Sequence, residues 1–372
     1  MACWADAEGA VRADGGGVLH FGDVFREQRR LAAGDAFVPL GDRAVIEVSG
    51  PERLGWLDSI TSQALGQLAP GESTELLVLD PQGRIEHVAG VFDDGVSTWL
   101  IVDAADAEML AAWLSRMKFR TQATVDVRSD LRLIGVVGGA AAAASVRQAA
   151  SAPHGVALVW SDPWQRVSAG GHQYARVAEH PGAHLAWQVA VVSIEADDAL
   201  AASTPVEERA GLLAADALRI AAWRPRWQAE VDERSLPHEY DWIRTAVHLN
   251  KGCYRGQETV AKVHNLGHPP RRLAALHLDG SDAQLPQHGD VVLAGGKEVG
   301  HVTSAARHFE EGPIALAILS RRAPEGDLVV RTAQVDIAAA QQVIVPSDAG
   351  ATADVPRLSR LSRRPVAQDP RG

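Results

Sequence analysis

From Arg271 onward the chain changes character. Upstream, helical and strand patterns are mixed. Downstream, only short apolar strands remain, punctuated by Gly and Pro. Arg272–Leu278, Asp290–Leu293, Glu298–Ser304, Ile314–Leu319 and Leu328–Val335 read as strands at the spacing of a small barrel. This switch predicts a β-barrel at 271–345 behind an α+β region at 20–265. Residues 346–372, with Pro, Ser, Arg and few apolar groups, read as a disordered tail.

The upstream region supplies its own punctuation. Residues 22–33 read as a short amphipathic helix and 43–48 as a half-buried strand. Ser49 and Glu52 have capping-box spacing, with Pro51 suited to a first helical turn. Residues 75–102 read as a β-meander whose turns are Asp80-Pro81-Gln82-Gly83 and Asp93-Asp94-Gly95. A helix is expected from about Asp106, with Met109, Leu110, Trp113, Leu114 and Met117 on one side. Leu131–Val137 and Trp187–Val192 read as strands, with an Ala-rich helix near 140–150. Thr204 to Glu207 has a second capping-box pattern, opening a helix to about Trp223. Residues 224–250 carry large aromatics and read as an ordered excursion.

Several functional classes are disfavoured by composition. The 372 residues carry 47 acidic and 36 basic groups, a formal net charge of -11. Nonspecific nucleic-acid binding needs the opposite sign. The two cysteines, Cys3 and Cys253, form neither a disulfide framework nor a zinc spacing. A reducing, cytoplasmic setting is expected. There is no signal-peptide pattern at Met1 to Gly17, and no apolar run reaches the roughly 18 residues of a membrane span.

The most unusual segment is Lys251-Gly252-Cys253-Tyr254-Arg255-Gly256-Gln257-Glu258. Two glycines four apart permit a tight turn or a close backbone approach. Lys251 and Arg255 flank the thiol, and positive neighbours stabilise a thiolate. A cysteine between glycines is equally read as a packed small hydrophobe. The segment lacks the spacing and ending of a P-loop.

This segment resembles the K-G-C-Y-x-G-Q-E signature of the YgfZ family, relatives of the glycine-cleavage T-protein. The resemblance extends over residues 20–335. It takes in Ser49 to Leu54, the turn Leu79 to Arg84, Arg219-Ile220, Leu236 to Glu239, Arg271 to Leu273 and Val299 to Ser304. It implies an α+β fold of two interleaved lobes in a three-lobed ring around a central channel, plus the C-terminal barrel. It also implies a folate ligand, tetrahydrofolate or another form, and a needed Cys253. A pterin edge pairs with an amide or carboxylate, which points to Gln257 and Glu258. Arg219 and Trp223 fall on the helix that the resemblance places beside the folate. Trp223 stands where the T-protein has a glycine, and it is expected to stack on a flat ring or to sit in the core.

The implied role is accessory to iron–sulfur cluster assembly or repair, and through it to tRNA thiolation. Partners would be folate and iron–sulfur client or assembly proteins, with no direct nucleic acid, no membrane and no tightly bound metal. One cysteine cannot hold a cluster alone. The T-protein's acidic pair is replaced by His87 and Val88, with Glu86 one residue away, which argues against glycine cleavage. Two other readings stay open. One is a tetrahydrofolate-dependent one-carbon transferase or demethylase. The other is a thiol-transfer protein using Cys253. No GxGxxG follows a strand, so a self-contained oxidative enzyme is disfavoured.

Overall fold

The computed structural model describes residues 4–13, 16–139, 141–281 and 284–353. Three sheets carry the molecule. The first has the order Ser73–Leu79, Ile85–Asp93, Ser97–Asp103, Arg43–Ser49, Thr124–Val127, all antiparallel. Its period-2 pattern serves two cores. Ile46, Val48, Leu76, Val78, Ala89 and Leu100 pack on the helices Arg53–Ile60 and Ala107–Met117. Alternate residues such as Val45, Trp99 and Ile101 point the other way, toward the centre of the molecule. Burial on both faces pins the register, because a one-residue slip would exchange the two sets.

The second sheet runs Val159–Ser161, Trp187–Ser193, Leu131–Val137, Phe37–Pro39. Its outer face, with Ile134, Val136, Ala190 and Val192, is covered by the helices Ala141–Ala149 and Ile194–Ser203. Leu133, Val189 and Val191 face inward and share one core with Trp99 and Ile101. Because Phe37–Pro39 precedes the first sheet in the chain yet pairs in the second, the two lobes are interleaved.

The barrel closes in the order Arg271–Leu278, Gly312–Ser320, Lys297–His308, Val291–Ala294, Asp327–Arg331, Asp336–Val343. Leu276, Val292, Val302, Ala317 and Leu319 fill its interior. Leu273, Leu316 and Ile318 face out and pack with Trp242, Ile243 and Tyr254 of the α+β region. The barrel is therefore a third lobe, fixed by a core of its own and by a shared one.

Several local expectations need correction. At 49–52 no capping box forms: the Ser49 hydroxyl bonds Thr124 Oγ1 at 2.7 Å, and the Glu52 carboxylate accepts from Gln122 N at 2.6 Å. Thr204 closes the Ile194–Ser203 helix, donating its hydroxyl to Leu200 O at 2.7 Å, and the next long helix starts at Leu212. Met109 and Met117 are exposed, whereas Leu110, Trp113 and Leu114 are buried. The last predicted barrel strand splits, because Thr332 to Val335 forms a turn and Asp336–Val343 is a strand of its own.

Residues 346–353 were assigned to the tail on composition, but they pack. Ala349 is buried, His268 Nδ1 lies 2.9 Å from Ala349 O, and Thr352 and Ala353 donate backbone bonds to His264 and Asn265. Cys3 and residues 354–372 lie outside the described residues. No helix among the described residues is long and apolar enough to cross a membrane.

Candidate functional site

Between the two sheets and the Leu212–Ala221 helix lies a cavity of about 110 Å³, several times the roughly 10–15 Å³ that one water requires. Trp160, Trp187, Trp227 and Trp242 form apolar walls. Two of these indoles depend on missing side chains behind them. A Cβ on Gly90 would sit 2.7 Å from the Trp160 ring, and one on Gly135 would sit 2.3 Å from the Trp187 ring.

Charge surrounds these walls. The Arg224 guanidinium bonds Glu75 at 2.7 Å and Asp162 at 3.0 Å. Arg226 bonds Asp42 at 2.7 Å and Asp103 at 2.6 Å, and Arg43 adds a contact to Asp103 at 3.3 Å. Arg219 spans three elements, reaching Asp216 at 2.7 Å on its own helix, Glu230 at 3.3 Å and the barrel's Ser304 at 2.8 Å. Burial works against the charged form of Asp103, yet Arg43 and Arg226 hold its carboxyl below the usual range. Burial likewise opposes the Asp216 carboxylate, and Arg219 with Arg226 overcomes it. The ring is therefore ionised and internally paired.

Two polar atoms on the cavity wall are left over. Trp242 Nε1, on a side chain with no solvent exposure, donates to nothing, and Asp42 Oδ1 accepts from nothing. A buried polar atom without a partner costs about 1–3 kcal/mol. A ligand that offers one acceptor and one donor would recover that cost.

The Lys251–Glu258 loop lies elsewhere. Lys251 is buried and its ammonium donates to three backbone carbonyls where the Arg53–Ile60 helix ends: Asp58, Thr61 at 2.9 Å and Gln63 at 2.7 Å. Tyr254 is buried in the core shared with the barrel. Arg255 pairs with Glu86 at 2.5 Å. Gly256, at φ +83°, meets Gly83 of the Asp80–Gly83 turn, where an added Cβ would lie 2.9 Å from Gly83 Cα and 2.6 Å from Asp80 O. The two glycine motifs thus touch, which explains why both are needed. Cys253 stands exposed between these anchors.

Comparison with known proteins agrees with this architecture. Residues 271–346 match the glycine cleavage T-protein C-terminal barrel domain. The aminomethyltransferase of Geobacillus kaustophilus is 25% identical over 305 residues, covering 78% of this chain and 80% of the relative. That of Rippkaea orientalis is 28% identical over 302 residues, covering 74% and 75%. The crystal structure of aminomethyltransferase T from Bartonella henselae superposes with a TM-score of 0.73 at 18% identity, covering 92% of this chain and 95% of the other. The chain has the T-protein fold. It is aminomethyltransferase-like over most of its length and carries the T-protein C-terminal barrel.

Within the T-protein fold, the residues singled out from sequence separate into groups. Arg219 reaches the cavity. Trp223 does not border it. It is 3% exposed in the core, edge-on to His180 at 5.3 Å, with φ +56°. That left-handed backbone favours glycine, the residue the T-protein has at this position. Gln257 begins the Gln257–Leu266 helix and turns back to Lys251 O at 3.3 Å, and Glu258 is exposed. Neither borders the cavity, so the four expected folate contacts are not brought together. Lys251 and Arg255 are committed to other partners and are not held for the thiol.

On the strand Ile85–Asp93, Val88 faces the cavity, while His87 Nδ1 lies 2.7 Å from Asp106. Sequence reading missed Arg224 and Arg226. Their one local signal is the Arg-Pro-Arg run directly after Trp223. Among the described residues, no group of three or more His, Cys, Asp or Glu side chains is placed to hold a metal ion.

Proposed function

We propose that this chain binds a folate, with the pterin in the central cavity, and acts as an accessory protein for iron–sulfur cluster assembly or repair. The observation that carries folate binding is the tryptophan-walled cavity with Trp242 Nε1 and Asp42 Oδ1 left unpartnered. A pterin offers ring faces to the indoles, and its edge holds both an acceptor and a donor. The accessory role rests on the Cys253 signature together with Val88, an apolar side chain where aminomethyl chemistry needs a carboxylate. Cys253 is an exposed group on a firmly held loop, suited to contact with an iron–sulfur client in a reducing compartment.

Calorimetry with tetrahydrofolate and folic acid tests the pocket. The wild type and Cys253→Ala should bind with equal affinity, and Asp42→Asn should bind about tenfold more weakly, as expected for one charged hydrogen bond. Absence of binding to the wild type would refute the folate reading. The accessory role is tested separately, by the activity of iron–sulfur enzymes in cells whose only copy is Cys253→Ala. Unchanged activity there would remove it.

One observation favours a second reading. Five carboxylates (Asp42, Glu75, Asp103, Asp162, Asp216) and four guanidiniums (Arg43, Arg219, Arg224, Arg226) border the cavity beside its indoles. A net negative, aromatic-walled site also suits a methylated amine, the substrate of a folate-dependent demethylase. Turnover of methylated amines in the presence of tetrahydrofolate separates the two readings.

A further inference from the structure

Outside the central cavity lies a second, open groove of about 940 Å³, bounded by the Asp80–His87 stretch, one side of the Ala107–Met117 helix and residues 231–233. Among the described residues, one side chain borders both spaces: Trp227. We infer that Trp227 is a movable partition in a two-compartment channel, which holds a flat head group inside and a longer aryl-amide arm outside. The inference rests on the folate reading above and adds to it a residue that controls entry.

The argument is local. Trp227 opens a four-residue helix, Trp227–Glu230, whose backbone is held at both neighbours of the indole. Arg226 N donates to the Glu230 carboxylate at 2.6 Å, and Gln228 N donates to the Asp103 carboxylate at 3.1 Å. The ring itself has a single hydrogen bond, from Nε1 to Glu86 O at 3.0 Å, and is only half-buried. A side-chain rotation therefore breaks one hydrogen bond and leaves the main chain in place. Losing one such bond is a small cost beside the barrier of moving a loop.

The groove side is prepared for a flat, partly apolar arm. Met109, Ala112, Trp113 and Arg116 are spaced i, i+3, i+4 and i+7 and present one helical stripe to it. An aromatic arm leaving the cavity would lie between Trp113 and Trp227, and both faces of its ring could be covered.

Stopped-flow binding of tetrahydrofolate tests the partition. Trp227→Phe should keep rates within about threefold of the wild type. Trp227→Ala should raise the association and dissociation rates at least tenfold, with a much smaller change in affinity. Trp227→Leu, which retains more packing, serves if the alanine variant melts early, and should raise both rates at least threefold. Rates for Trp227→Ala or Trp227→Leu equal to those of the wild type overturn the partition while leaving the pocket intact. A wild type that does not bind tetrahydrofolate overturns the folate reading, and the partition with it.

Discussion

The cavity ring and the signature loop make opposite use of sequence. Lys251 to Glu258 is the most conspicuous stretch of the chain, yet its thiol is exposed and it borders neither compartment. The ring is scattered through positions 42 to 226 and inconspicuous in sequence, yet it builds the one tryptophan-walled cavity found among the described residues. A loop motif must be contiguous because its backbone has to turn. A ring of ion pairs has no such need, since a guanidinium can meet its carboxylate from any element that packs nearby. Arg224 and Glu75 are 149 positions apart.

The comparison makes firm demands. The largest effect should come from Arg224→Met, which leaves Glu75 and Asp162 buried without their cation. A destabilisation of about 3–5 kcal/mol is expected in urea unfolding. A loss under 1 kcal/mol would show that the ring is not a structural unit.

Lys251→Met comes next. It removes an ammonium from three carbonyls and should cost about 2–3 kcal/mol. The same variant tests whether Cys253 depends on this anchor: its alkylation rate should change only if the loop moves.

A third test uses pH. Burial lowers His180 and His238 to about 3, with Arg244 adding to the effect at His180, so both stay neutral in the fold. Their contribution is fully present above pH 6.5 and is lost as pH falls toward 3, because the unfolded chain then binds two more protons. Asp241 runs the other way. Burial raises it to about 7, so between about pH 4 and 7 the folded state holds one proton more than the unfolded chain. The sum over pH 4 to 6.5 is one proton, a rise in stability of about 1.4 kcal/mol per pH unit. Asp241→Asn should steepen this slope, and His238→Gln should flatten it, in urea melts repeated across pH.

The smallest effect is expected for Cys253→Ser. The side chain is exposed, so stability should change by no more than about 0.5 kcal/mol. A larger loss would turn the loop from a functional feature into a structural one.

Much of this was legible in the residues themselves. The meander, the barrel strands and the Leu131–Val137 strand follow from period-2 alternation and from turn residues such as Asp80 to Gly83, all of them local signals. Capping failed at Ser49 and Thr204 because a cap is judged by what else the hydroxyl can reach, and Thr124 and Leu200 were nearer partners. Trp223 could not be placed from its motif, since its chain neighbours do not say which side of the helix end faces the cavity.

Local order was thus written in the chain: where strands and helices fall, where the barrel begins, and that Lys251 to Glu258 is a special turn. The tertiary structure alone decided which tryptophans face the cavity, which arginine meets which acid, and that Gly83 and Gly256 touch. The physical reason is range. Periodicity and turn chemistry act over a few residues, whereas pairing and cavity formation depend on packing between elements more than a hundred positions apart.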